Sequence, residues 1–68
     1  MKIEEAMIYV LATSERGLTV PHIAALINRH RLYVKKDGSP VTEAHIWRTV
    51  FTNPQIFVRE GTIIHLLM

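Results

Sequence analysis

The apolar positions of this chain fall into three stretches with a helical period and one with a strand period. In the first, Ile3, Met7, Val10 and Leu11 gather on one side of a wheel of about 100° per residue. Ile8 lies at the edge and Glu5, Tyr9 and Ala12 lie opposite, which predicts an amphipathic helix over about 2–13. Ser14-Glu15-Arg16-Gly17 ends it, with Gly17 suited to the left-handed position that follows a helix. In the second stretch Val20, Ile23, Leu26 and Ile27 form the apolar stripe, and His22, Ala25, Asn28 and Arg29 the outer face. Thr19 is its N-cap and Pro21 occupies the first turn, where a missing N–H costs nothing, so a helix is expected over about 20–30. In the third, Ala44, Ile46, Trp47, Val50 and Phe51 cover about 160° of the wheel. His45, Arg48, Thr49 and Thr52 hold the complementary arc. Thr42 caps this helix, Val41 and Ile46 supply a hydrophobic staple, and Asn53-Pro54 stops it, giving a helix over about 42–52.

Beyond Gln55 the period changes. Residues 56–59 and 62–66 flank a two-residue loop, Glu60-Gly61, and read as a hairpin within about 56–67. The pairing expected from that loop sets Arg59 opposite Thr62, Val58 opposite Ile63 and Phe57 opposite Ile64. A lone hairpin is not stable in water, so its Phe57, Ile64 and Leu66 face must pack on the helices. Between the second and third helices, residues 32–40 read as a loop, because Asp37-Gly38 is a turn signal and Pro40 blocks a helix. Leu32, Tyr33 and Val34 are apolar enough that part of this loop is expected to fold back. Leu18 and Thr19 suit a strand of one or two residues. The order helix, helix, helix, hairpin predicts one domain over residues 1–68, mostly α with a small β-hairpin, in a three-helix winged helix-turn-helix topology.

Composition narrows the class. The chain has 68 residues, of which 49% are hydrophobic and 21% charged, a globular balance in a body too small for more than one core. It has no cysteine, which removes disulfides and thiolate metal sites. The longest apolar runs are far short of a membrane span. Met1-Lys2-Ile3-Glu4-Glu5 places two acids ahead of any apolar run, against a signal peptide. These features exclude a multidomain enzyme, a disulfide scaffold and a membrane protein, and leave the expectation of a small cytoplasmic module. The net charge of +2 is mild, but it is unevenly spread. Residues 16–48 hold six cations and two acids, net +4, while the remainder holds two cations and four acids, net −2. A basic middle between acidic ends is an electrostatic footprint for a polyanion.

Three segments carry a resemblance. The run from Gly17-Leu18-Thr19-Val20-Pro21 through Ile27, the segment Leu32-Tyr33-Val34-Lys35-Lys36-Asp37-Gly38-Ser39-Pro40-Val41-Thr42, and Asn53-Pro54-Gln55-Ile56-Phe57 resemble the HARE-type winged-helix domain. The likeness spans nearly the whole chain, and its Leu-Tyr, Lys-Lys-Asp-Gly and Asn-Pro…Phe elements come in the family's order and spacing. It implies a three-helix core with a short wing, DNA binding as the proposed role, and no catalytic activity. The family occurs in bacterial restriction and DNA-modification proteins, in the RNA polymerase delta subunit and in eukaryotic chromatin proteins, which implies transcription regulation or restriction-modification as the setting. It assigns no site residue, since the shared positions are mostly structural. This chain departs from tight helix-turn-helix proteins, where three or four residues join the two helices; about ten do so here.

The third helix is the expected groove reader. Arg48 suits guanine N7 and O6 or a phosphate, with His45, Thr49 and Thr52 beside it. Lys35 and Lys36 in the loop and Arg29 at the end of the second helix suit phosphate contacts, although a helix C-terminus also favours cations without any ligand. Arg59, near the hairpin tip, suits a minor groove. The expected partner is double-stranded DNA. A competing expectation is a protein-interaction module. Ile56, Val58, Ile63 and Leu67 cannot all face so small a core, and an exposed apolar strip marks a larger protein partner or a homodimer contact. Trp47 and Phe51 are expected in the core. His22, His30, His45 and His65 lack zinc-motif spacing, so no metal is expected. There is no nucleophile triad, no paired carboxylates and no glycine-rich phosphate loop, so neither a cofactor nor an enzyme is expected.

Overall fold

In a computed structural model, which describes residues 2–14 and 16–67, the chain forms three ten-residue helices and a three-stranded antiparallel sheet, a small mixed α/β domain. The first helix, α1 (Ile3–Ala12), opens with the Lys2 backbone N–H donating to the Glu5 carboxylate at 2.8 Å. Acids in this first turn also oppose the positive end of the helix dipole. Its buried face is Ile3, Ala6, Met7, Val10 and Leu11, while Tyr9 stands 57% exposed.

The helix stops at Thr13, whose hydroxyl donates to the Val10 carbonyl at 2.8 Å. Glu15, part of the expected stop signal, lies outside the described residues. Gly17 is left-handed, at φ +77°, but four residues beyond Thr13 and for another reason than helix termination. A Cβ on Gly17 would sit 2.7 Å from the Ile64 carbonyl oxygen and 2.8 Å from Ile63 Cγ2. The chain passes that close because it is entering the sheet as β1 (Leu18–Thr19).

Thr19 also caps α2 (Val20–Arg29), its Oγ1 accepting the His22 N–H at 3.4 Å, with Pro21 in the first turn. Val20, Ile23, Ala24 and Ile27 are buried and Leu26 half-buried. Asn28, expected on the outer face, faces inward instead. It accepts the Val41 N–H at 2.8 Å and donates to the Val41 carbonyl at 3.0 Å, pinning the end of the long connection to α2. The helix ends in a Schellman motif: Arg31 N–H donates to the Asn28 carbonyl at 3.3 Å and Leu32 N–H to the Ile27 carbonyl at 3.0 Å. Arg31 occupies the left-handed position, at φ +52°.

The connection, residues 30–42, is held by its own turn chemistry. Asp37 accepts from the Ser39 N–H at 3.0 Å and the Ser39 hydroxyl at 2.7 Å, and Gly38 N–H donates to the Lys35 carbonyl. Leu32 and Tyr33 fold back against the core, whereas Val34 remains 48% exposed.

Val41 and Ile46 are buried at 4% and 0% exposure, and Thr42 Oγ1 accepts the His45 N–H at 3.2 Å, starting α3 (Glu43–Thr52). Asn53 closes it, with its side-chain amide donating to the Thr49 carbonyl at 2.8 Å and its own carbonyl accepting from Ile56 and Phe57.

The hairpin pairs β2 (Phe57–Glu60) with β3 (Ile63–Leu66) in the register Phe57↔Leu66, Val58↔His65, Arg59↔Ile64, Glu60↔Ile63. Its loop is Gly61-Thr62, one residue later than the Glu60-Gly61 expected. Gly61 has φ +60° while Thr62 does not have a positive φ, which fits the type II′ turn with glycine first. Placing Glu60 first would force a carboxylate side chain into the left-handed region. Because the shift preserves the alternation, Phe57 and Ile64 still face the core, and Val58 and Ile63 still lie on the other face. β3 is the central strand, since β1 pairs with it as well, Leu18↔Ile64 and Thr19↔Ile63. Met7, Ile23, Ile27, Ile46 and Ile64 meet at the centre with essentially no exposure, so every helix and the central strand contribute to one core. No helix among the described residues is long and apolar enough to cross a membrane.

Candidate nucleic-acid interface

The side of α3 that the core claims decides what the helix can offer a ligand. Ile46, Thr49 and Val50 are buried, and Trp47 and His45 are half-buried on the two flanks. The open arc is therefore Ala44, Arg48, Phe51 and Thr52, with Trp47 at its edge; Glu43, also exposed, lies off this arc at the first position of the helix. This is rotated from the expected stripe, and the rotation corrects two expectations. Thr49 does not face a groove: it is 5% exposed and its hydroxyl donates to the His45 carbonyl at 2.9 Å. Phe51 is not in the core: it is 66% exposed, and its ring stacks on Trp47 with centroids 5.7 Å apart and planes 18° apart. The physical reason is the pairing of Val41 with Asn28 and the burial of Ile46, which fix the azimuth of the helix. A threonine that satisfies its hydroxyl within the helix can then be buried.

Arg48 and Thr52 are exposed as expected, the Thr52 hydroxyl donating to the Arg48 carbonyl at 2.9 Å. His45 is only partly accessible. Its ring meets Tyr33 edge-on at 5.8 Å, and its Nδ1 is buried without a hydrogen-bond partner. Burial holds its pKa below the ordinary imidazole value, and the positive charges of Lys35 and Arg48 act in the same direction, against a weaker opposing pull from Glu4. Tyr33, two residues before Lys35, packs on His45, so the loop that carries Lys35 and Lys36 runs beside the flank of α3 one turn from Arg48. Lys36 stands beside Lys35 and is exposed, and Arg29 is exposed in the last turn of α2. The loop thus brings its cations to α3. Arg59 is exposed on β2, and its guanidinium donates to the Gly61 carbonyl at 3.4 Å. The four proposed interaction residues divide between two surfaces. Ile56 and Leu67 line a shallow apolar depression with Ile8 and Leu66, and Leu67 is 58% exposed. Val58 and Ile63 lie outside that depression, on the face of the hairpin turned from Phe57 and Ile64, alongside His65, whose Nε2 is 2.7 Å from Glu60 Oε1.

Sequence reasoning missed Ala44 and Phe51 as exposed, and Asn28 as a structural clamp. A signal was present for the first two. The staple pair Val41 and Ile46 already indicates the core side of α3, and a wheel centred on Ile46 and Val50 leaves Ala44 and Phe51 outside. Nothing local in the sequence marks Asn28, whose partner lies thirteen positions away. Among the described residues no group of three or more histidine or acidic side chains is arranged to hold a metal ion. No family model matches the chain, and no curated protein or solved structure matches it.

Proposed function

We propose that this chain is a non-catalytic DNA-binding module of the winged-helix type, with α3 directed to the major groove of a duplex. The element order, three helices with a short strand before the second and a hairpin after the third, supports that topology, as does the resemblance to HARE-type domains. The observation that carries the reading is the contact of Tyr33 with His45, which lays the Lys35-Lys36 loop along α3 near the exposed Arg48, while the one acid of the helix, Glu43, sits at its first position, away from Arg48 on the wheel. A cationic edge beside an unobstructed helix satisfies both needs of duplex binding, phosphate neutralisation and access to base edges. Lys36, next to Lys35, and Arg29, exposed at the end of α2, are further candidate phosphate contacts. With so few contacts, non-specific affinity falls at about 10⁻⁴–10⁻⁶ M at physiological salt. The test is the variant Arg48→Ala/Lys35→Ala/Lys36→Ala, titrated with duplex at several salt concentrations. Loss of the two lysine phosphate contacts flattens the log–log salt slope by about two units, and loss of Arg48 weakens binding further. A parent that does not bind duplex, or a variant with an unchanged slope, overturns the proposal.

A second reading has its own support in the depression lined by Ile8, Ile56, Leu66 and Leu67, an apolar surface separate from α3's open arc. It fits a contact between two copies, which would double the number of phosphate contacts. A sedimentation profile that stays monomeric at high concentration removes it.

A further inference from the structure

We propose that Phe51 packs on the 5-methyl group of thymine while Arg48 takes an adjacent guanine, so that the module prefers duplexes in which T and G are neighbours, with Ala44, on the other side of Arg48, offering a second apolar contact. The inference rests on the DNA-binding reading above and specifies what α3 would recognise.

The argument starts from what the open arc contains. At about 100° per residue, Phe51 and Ala44 lie about 20° apart, and Arg48 lies about 40° beyond Ala44 on the same arc. Along the axis, Phe51 is about 4.5 Å from Arg48 on one side and Ala44 about 6 Å on the other. Successive bases on a strand are about 3.4 Å apart, so an arginine on one base edge puts Phe51 over a neighbouring one. The arc's chemistry is limited: a guanidinium, a phenyl ring, a methyl, and a threonine hydroxyl donating to the Arg48 carbonyl. It has no amide to pair with adenine, and the one carboxylate of α3, Glu43, lies about 140° from Arg48 on the wheel, away from this arc. In the major groove the donors of arginine select guanine, and apolar side chains select the thymine methyl. Those are the two features this arc can distinguish.

The state of Phe51 supports the assignment. A phenyl ring 66% exposed in the free chain is not stabilising the core, yet stacking on Trp47 holds it in place. A ring fixed in advance loses little freedom on binding. The cations at the edge of the same face, Lys35 and Arg48, match the charge of a duplex backbone.

The probes are a duplex whose one strand alternates T and G, and the same duplex with deoxyuridine replacing every thymidine. The substitution removes methyl groups and leaves base pairing intact. The parent is expected to bind the thymine duplex about fourfold more tightly, the worth of burying one methyl-sized group. Phe51→Ala is expected to bind both probes equally, and Phe51→Leu to keep part of the preference. Since Phe51 is exposed, these variants fold, and a cooperative thermal transition followed by far-UV circular dichroism checks it. A parent that binds both duplexes equally overturns the methyl reading and leaves DNA binding standing. Tighter binding of the single T-G strand than of the duplex also overturns it, assigning the ring to unpaired bases. Absence of binding to every probe overturns the DNA reading as well. A preference that survives in Phe51→Ala sinks the assignment of the methyl to this residue.

Discussion

At the scale of single residues, the end of α2 carries an unrelieved local cost. Arg31 sits at φ +52°, where a side chain costs about 1–2 kcal/mol and glycine almost nothing. The backbone has no alternative, because Leu32 must return its N–H to Ile27 and its side chain to the core. Arg31 itself is exposed. Arg31→Gly is therefore expected to stabilise the fold, even after the greater freedom of glycine in the unfolded chain removes about half of the gain. The net is about 0.5–1 kcal/mol, or about 3–6 °C in thermal midpoint for a domain of this size. A lower midpoint would show that the arginine side chain makes a stabilising contact. Asn28 illustrates the opposite case, a half-buried polar residue with its amide paired, since it satisfies both the N–H and the carbonyl of Val41.

At the scale of elements, the two left-handed glycines of the sheet look alike in sequence and differ in what they do. At Gly61 the loop needs φ +60° and an added Cβ meets nothing within 4 Å, so Gly61→Ala is expected to cost only the conformational term, about 1 kcal/mol. At Gly17 the same strain is joined by a clash with the backbone of the central strand at 2.7 Å. Gly17→Ala is expected to cost more than twice as much and to separate β1 from β3. Chemical denaturation ranks the two, and equal costs would refute the crowding at Gly17. These positions also mark how far the elements were legible. The three helices were readable to within a residue or so, because the caps Thr19 and Thr42 and the apolar period act locally. The hairpin loop was misplaced by one residue, since the choice between Glu60-Gly61 and Gly61-Thr62 depends on which loop position takes the positive φ. The face of α3 was misjudged because its aromatic residues draw the centre of the wheel away from the staple pair Val41 and Ile46, whose burial sets the azimuth.

At the scale of the whole molecule, the candidate site was legible in its charges and not in its shape. Lys35, Lys36 and Arg48 stand out in the sequence, but only folding places a loop cation and a helix cation around His45 and turns Phe51 outward. His45 also makes the assembly of the fold measurable. The groups that act on it come from three parts of the chain: Glu4 on α1, Lys35 and Tyr33 in the loop, and Arg48 on its own helix. Its buried, unpartnered Nδ1 and the two cations disfavour the imidazolium, whose pKa is lower in the folded chain than in the unfolded one. The unfolded chain then binds more protons in the interval below the ordinary imidazole value of about 6.5, so its share of stability is complete above that value and is lost as pH falls through the folded pKa. The thermal midpoint is expected to drop on acidification from about pH 7.5 to pH 5.5. His45→Phe, which keeps a ring against Tyr33 and removes both the charge and the orphaned nitrogen, is expected to be at least as stable at the upper pH and to lose most of that dependence. The other histidines remain in both proteins, so the difference between the two pH profiles belongs to His45. A parent midpoint that rises on acidification, or a variant that retains the full pH dependence, would mean that loop, α1 and α3 do not meet around this ring.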